Sequence, residues 1–162
     1  MIRIGKLTDY GIVVMTHLAR DPAQAVMAAS DLAQATSLGP STVAKLLKVL
    51  LRAGLLVSHR GIRGGYSLSR PAEEISVGQI IGAIEGPVVM TECGGQPANK
   101  CSMRHVCTAQ SHWHRIDDVV REALESLKLE ELARPLRLRK AGALQRQPGD
   151  QQPADRRRSK RP

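Results

Sequence analysis

The sequence predicts a mainly α protein carrying one small β-hairpin. The first reason is compositional. Of 162 residues only 2% are aromatic and none is Phe, so the core must be Leu, Ile, Val, Met and Ala, a palette that favours helices over a sheet sandwich. The second is periodic: apolar residues recur at helical spacing along most of the first 133 positions. The third is local. Residues 55–69 alternate on either side of a turn rich in Gly and Arg.

From Leu7 to about Arg20, Ile12, Met15, Leu18 and Ala19 mark one helical face, with Thr8 or Asp9 available as N-cap. Asp21-Pro22 ends it, because the residue before proline avoids helical backbone. Ser30 opens a short helix to Ala35 as its capping residue, and Ser37-Leu38-Gly39 is the turn behind it. Pro40 suits the first position of the next helix. That helix, Ser41 to Ala53, turns Val43, Leu46, Leu47 and Leu50 inward and stops at Gly54. Two helices joined by a short Gly-containing turn match helix-turn-helix. Leu55–His59 then reads as a strand, Arg60–Gly65 as the turn and Tyr66–Ser69 as the returning strand. A helix-turn-helix followed by a basic hairpin is a winged helix.

Ser76 and Gln79 fit a capping box ahead of Val77, Ile80, Ile81 and Ile84, and Gly86-Pro87 closes that helix. A loop follows from about Val88 to Gln110. One long helix, roughly Ser111 to Ala133, then carries Ile116, Val119, Val120, Ala123, Leu124 and Leu127 on one side. After Arg134-Pro135 the period fails, and Gln, Pro, Gly, Asp and Arg predominate, as in disordered tails. The expected organisation is a winged helix-turn-helix DNA-binding domain over 1–86, a cysteine loop over 87–110, a dimerisation helix over 111–134 and a basic tail over 135–162.

No apolar run reaches membrane-span length, and the opening residues lack a secretory h-region, so a cytoplasmic protein with no membrane partner is expected. The net charge of +9 needs dividing. From Pro135 onward there are nine Lys/Arg and two Asp/Glu; the rest has fifteen against thirteen. Charge total is therefore weak evidence for nucleic-acid binding, which must rest on placement. Ser41, Thr42 and Lys45 sit at the start of the second helix of the helix-turn-helix, with Lys48 one turn on, where small hydroxyls and lysines suit the major groove. Arg60 and Arg63 stand among glycines at the wing, where Arg reads a narrow minor groove. The expected partner is a double-stranded DNA operator. The apolar side of the long helix exceeds what its small domain can cover, which predicts a homodimer on a pseudo-palindromic site. No phosphate loop, nucleophile elbow or paired carboxylates in a plausible pocket are found, so neither an enzyme nor a small-molecule substrate is expected.

Cys93, Cys101 and Cys107 lie within fifteen residues of one another in a loop with no core to bury thiols. An odd cysteine count argues against a disulfide framework. The spacing is neither that of zinc ribbons nor that of ferredoxins. Thiolates select soft metals and iron–sulfur clusters, and three leave one position for His105, His112, His114 or the more distant Asp9. On residues alone, an iron–sulfur site, a Cys3His zinc staple without sensing role and a redox thiol trio all stand.

Together these features resemble the bacterial winged-helix iron–sulfur regulators that include IscR and NsrR, over about residues 1 to 133. The carriers are Lys6-Leu7-Thr8-Asp9-Tyr10, Val57 to Tyr66 with Arg60-Gly61 and Gly64-Gly65-Tyr66, Ile75-Ser76-Val77-Gly78-Gln79-Ile80 and the three cysteines. Leu7-Thr8-Asp9-Tyr10 and Glu85-Gly86-Pro87 with Met90-Thr91-Glu92-Cys93 most resemble the regulators of the SUF iron–sulfur assembly operon. The resemblance implies a homodimeric repressor with one cluster per subunit, 2Fe–2S with 4Fe–4S as the alternative, on Cys93, Cys101 and Cys107. It implies Asp9 of the partner subunit as fourth ligand, with His105 as runner-up. Gln110 stands where IscR has a ligating His, and Ala44 where IscR has an operator-tuning Glu. A nitric-oxide-sensing repressor is the nearest alternative within this resemblance.

Overall fold

The computed structural model describes residues 4–20, 26–90 and 106–134. They form α1 (Lys6–Arg20), α2 (Ala29–Thr36), α3 (Pro40–Arg52), β1 (Leu56–His59), β2 (Gly65–Leu68), a single 3₁₀ turn (Ala72–Glu74), α4 (Val77–Glu85), α5 (Gln110–Ser126) and α6 (Leu129–Ala133). The mainly α class with one antiparallel hairpin is the class expected from the sequence.

The core is aliphatic. Val14, Met15, Leu32, Val43, Leu46, Leu47, Leu50, Ile75, Ile80 and Leu129 have no exposed surface. The four residues assigned inward on the second helix of the helix-turn-helix are all among them. Two helix starts differ from expectation. α1 begins at Lys6, so Thr8 and Asp9 lie inside its first turn and neither is the cap. Thr8 is fully buried, and its hydroxyl donates to Glu85 instead. α2 begins at Ala29 after Ala28, which has no side chain to cap with, and Ser30 donates to Asp31. The helix-turn-helix second helix begins at Pro40, using proline at the first position as expected.

Two expected signals hold closely. Gly54, at φ +71°, follows the end of α3, with Leu55 N–H bonded to Leu50 O and Gly54 N–H to Leu51 O, the paired bonds of a Schellman stop. Ser76 accepts from Gln79 N–H while the Gln79 side chain accepts from Ser76 N–H, so α4 opens on a complete capping box.

The long C-terminal helix is two helices. α5 ends at Ser126, and Leu127 takes extended backbone. Leu127 O accepts Val77 N–H at 2.9 Å and Leu129 N–H donates to Ile75 O at 2.8 Å, making an antiparallel bridge between Ser76 and Lys128. The bridge wins over helix continuation because it drops Leu129, fully buried, into the core and lays α6 against α1.

Candidate nucleic-acid interface and cysteine segment

α2 and α3 pack on one another and α3 packs on β1, so the helix-turn-helix and the hairpin form one body. α3 buries Val43, Leu46, Leu47 and Leu50 on one side. Its other side exposes Ser41, Lys45 and Lys48, with Thr42 half-buried beside them. Arg52 continues that exposed row and was not among the sequence candidates, although its spacing from Lys48 is helical.

The hairpin pairs Leu56 with Leu68 through His59 with Gly65. Its loop closes by Gly64 N–H to Gly61 O at 2.9 Å, with Gly61 at φ +113°, a conformation L side chains rarely adopt. Gly65 lies against the chain before α2, where Tyr66 N–H bonds Met27 O at 2.8 Å and Met27 N–H bonds Tyr66 O at 3.0 Å. This pair ties the wing to the helix-turn-helix. Arg60, Ile62 and Arg63 are exposed at the hairpin's end.

The charge division hides a strong local imbalance. From Leu32 to Ala72 the chain carries six Lys/Arg (Lys45, Lys48, Arg52, Arg60, Arg63 and Arg70) and no Asp or Glu. Counting by segment rather than by half-chain reveals it. A segment of that sign attracts a polyanion.

Of the proposed sulfur ligands, Cys93 and Cys101 lie outside the described residues, as do His105 and the tail. Cys107 is half-buried, is free of any disulfide and stands three residues before α5. Asp9 is exposed on the first turn of α1, and His112 and His114 are exposed on α5. Among the described residues no three His, Cys, Asp or Glu side chains converge.

Sequence reading missed two acids here. Asp117 is 2% exposed and accepts Met90 N–H at 2.7 Å, which joins the chain entering the cysteine segment to the middle of α5. Its signal in the sequence is an acid at the edge of an apolar helical stripe. Glu85 accepts Thr8 Oγ–H at 2.5 Å and Gly5 N–H at 2.8 Å. Those bonds, the threonine's first, hold its carboxyl below the ordinary carboxylate range.

α5 presents two apolar edges. Val120 and Leu124, half-buried beside Asp117, face the body of the chain, where α5 packs on α4. Trp113, Ile116, Val119 and Leu127 are 39%, 42%, 59% and 38% exposed. The single stripe seen in sequence thus divides into a packed edge and a bare one. Among the described residues no helix is long and apolar enough to cross a membrane.

The chain is similar along most of its length to known bacterial regulators. It is 33% identical over 134 residues to the HTH-type transcriptional regulator CymR of Bacillus subtilis, covering 82% of this chain and 90% of that one. It is 28% identical over 131 residues to the HTH-type transcriptional regulator IscR of Pectobacterium carotovorum, covering 81% and 79%. The solved structure of CymR, named the global cysteine regulator of B. subtilis, superposes with a TM-score of 0.64 at 31% identity, over 82% of this chain and 97% of that one. Such relatives are transcriptional regulators and not enzymes. With residues 4–135 matching the family model of Rrf2, described as an iron-dependent transcriptional regulator, and with a helix-turn-helix and hairpin inside that span, the chain belongs to the Rrf2 family of DNA-binding transcriptional regulators.

Proposed function

We propose that this regulator is an iron–sulfur-sensing repressor of SUF-type cluster assembly genes, acting as a homodimer on a two-fold operator. The observation that carries the reading is the trio Cys93, Cys101 and Cys107 placed directly ahead of α5. The donor chemistry fits the group: thiolates are the ligands iron–sulfur clusters take, and Cys107 is free and half-buried rather than spent on a disulfide or sunk in the core. The fourth ligand we propose is Asp9 of a second subunit, the position the family resemblance implies, with His105 as the alternative within the chain. An exposed Asp9 is open to such an approach.

When bound, the cluster supplies a removable tie among the three cysteines and that fourth ligand. The chain's own residues carry its effect onward. Asp117 fastens the entrance of the cysteine segment to α5, and Cys107 leads straight into the same helix. The bare edge of α5 offers the dimer contact, so the state of the segment bears on the separation of the two α3 helices. A switch from nearly full to nearly empty occupancy requires the two states to differ in DNA affinity by about 5 kcal/mol. Ser41, Thr42, Lys45, Lys48, Arg60 and Arg63 are the residues proposed to hold the operator.

The similarity to a global cysteine regulator favours a second reading, in which the same fold governs genes of cysteine supply and the thiols serve without iron. Anaerobic purification separates the readings. Iron, sulfide and visible absorbance, all lost in Cys101→Ala together with regulated operator binding, support the sensor. A nitric-oxide sensor gives the same preparation but releases DNA on nitric oxide rather than on iron depletion. Colourless protein with stoichiometric zinc, or with no metal, overturns the iron–sulfur reading.

A further inference from the structure

We propose that Ile62 is an apolar wedge, carried by the wing into the operator's minor groove and inserted at a flexible pyrimidine–purine step. The proposal rests on the DNA-binding reading above and adds a specificity determinant to it. Ile62 is 108% exposed, and the next most exposed large hydrophobic among the described residues, Val106, is at 70%. Ile62 therefore stabilises nothing within its own chain, and in water it carries the full cost of a bare aliphatic side chain.

Its mounting is a tight turn. The Gly64–Gly61 bond closes the turn on either side of it, and a Cβ on Gly64 would stand 2.4 Å from His59 O. A β-branched side chain is already stiff about χ1, so little rotamer freedom is lost when it enters a confined space. Gly61 directly before it and Gly64 two residues after it leave room for the groove walls to close around the tip. Arg60 and Arg63 bracket it, and no acid lies between Leu32 and Ala72 to oppose phosphate. An aliphatic wedge between cations is the chemistry that separates stacked bases from the minor-groove side. Pyrimidine–purine steps unstack most easily, so the wedge would impose a preference at positions no polar side chain reads.

The test uses full-length protein and a duplex enriched by the wild type from random-sequence DNA. 2-Aminopurine is placed at successive positions, and bending is measured by circular permutation. The expected result is brighter 2-aminopurine at one step per half-site, with a bend, on wild-type binding. Ile62→Ala should lose both signals and bind the enriched duplex about tenfold more weakly, while affinity for unrelated duplex, salt dependence and melting temperature stay unchanged. Ile62→Met should retain the signals. Flat fluorescence with the wild type, or equal signals with Ile62→Ala, overturns the wedge while DNA binding stands. A changed oligomeric state in Ile62→Ala with DNA signals intact assigns the tip to protein contact and overturns it too. If the wild type enriches no duplex, the DNA-binding reading itself fails and the wedge with it.

Discussion

Glu85 does two jobs with one carboxylate. It ends α4, and it holds the start of α1 through Thr8 and Gly5. Because its carboxyl titrates below the ordinary value of 4.5 in the folded chain, the unfolded chain binds more protons in acid. Its stabilising contribution is therefore complete above the ordinary value and is lost as pH falls through the lower folded value. Melting temperatures of wild type and Glu85→Gln, compared across pH, should differ most above pH 4.5 and converge below it; a gap constant into strong acid would mean the charge is irrelevant. The position was visible in sequence only as part of Glu85-Gly86-Pro87, since nothing in local pattern tells that residue 85 meets residues 5 and 8. The same limit applies to Asp117, whose burial depends on Met90 arriving from another segment. The exposed α3 residues and wing arginines were legible, because helical spacing and a Gly-Arg turn are local signals. The acid-free run from Leu32 to Ala72 was equally present but was averaged away by acids elsewhere in the folded part.

At the scale of elements, α6 shows how a contact distant in sequence overrides propensity. Apolar residues continue at helical spacing through Leu124 and Leu127, so the period alone cannot mark the break. The break is set by Ile75 and Val77, whose backbone takes up Leu129 N–H and Leu127 O. Ser76 Oγ adds a contact to Glu125 that joins the start of α4 to the end of α5. Leu129 is the anchor of the arrangement. Leu129→Ala should lower stability by about 2–5 kcal/mol, read as a drop in urea midpoint with unchanged slope. Leu132→Ala, half-buried on the same short helix, should cost less. Equal small losses in both variants would mean that α6 is not an integral part of the core.

The molecule as a whole asks what covers the bare edge of α5. Ile116 and Val119 are exposed without contributing to the chain's own core, so replacing them tests assembly without unfolding the subunit. Ile116→Glu combined with Val119→Glu should sediment as a monomer with native helicity. A monomer engages one half-site at a time and loses the gain from linked binding, so affinity for a two-fold operator should fall by about 100-fold or more. Binding to an isolated half-site should be unchanged. The same variant probes the proposed ligand set: if Asp9 reaches the cysteines from a partner, separating the subunits should bleach the anaerobic protein even though all three cysteines remain, whereas a ligand within the chain, such as His105, would leave its absorbance intact. A charged pair that leaves the dimer whole would instead place the contact elsewhere and remove α5 as the route by which the cysteine segment sets the spacing of the recognition helices.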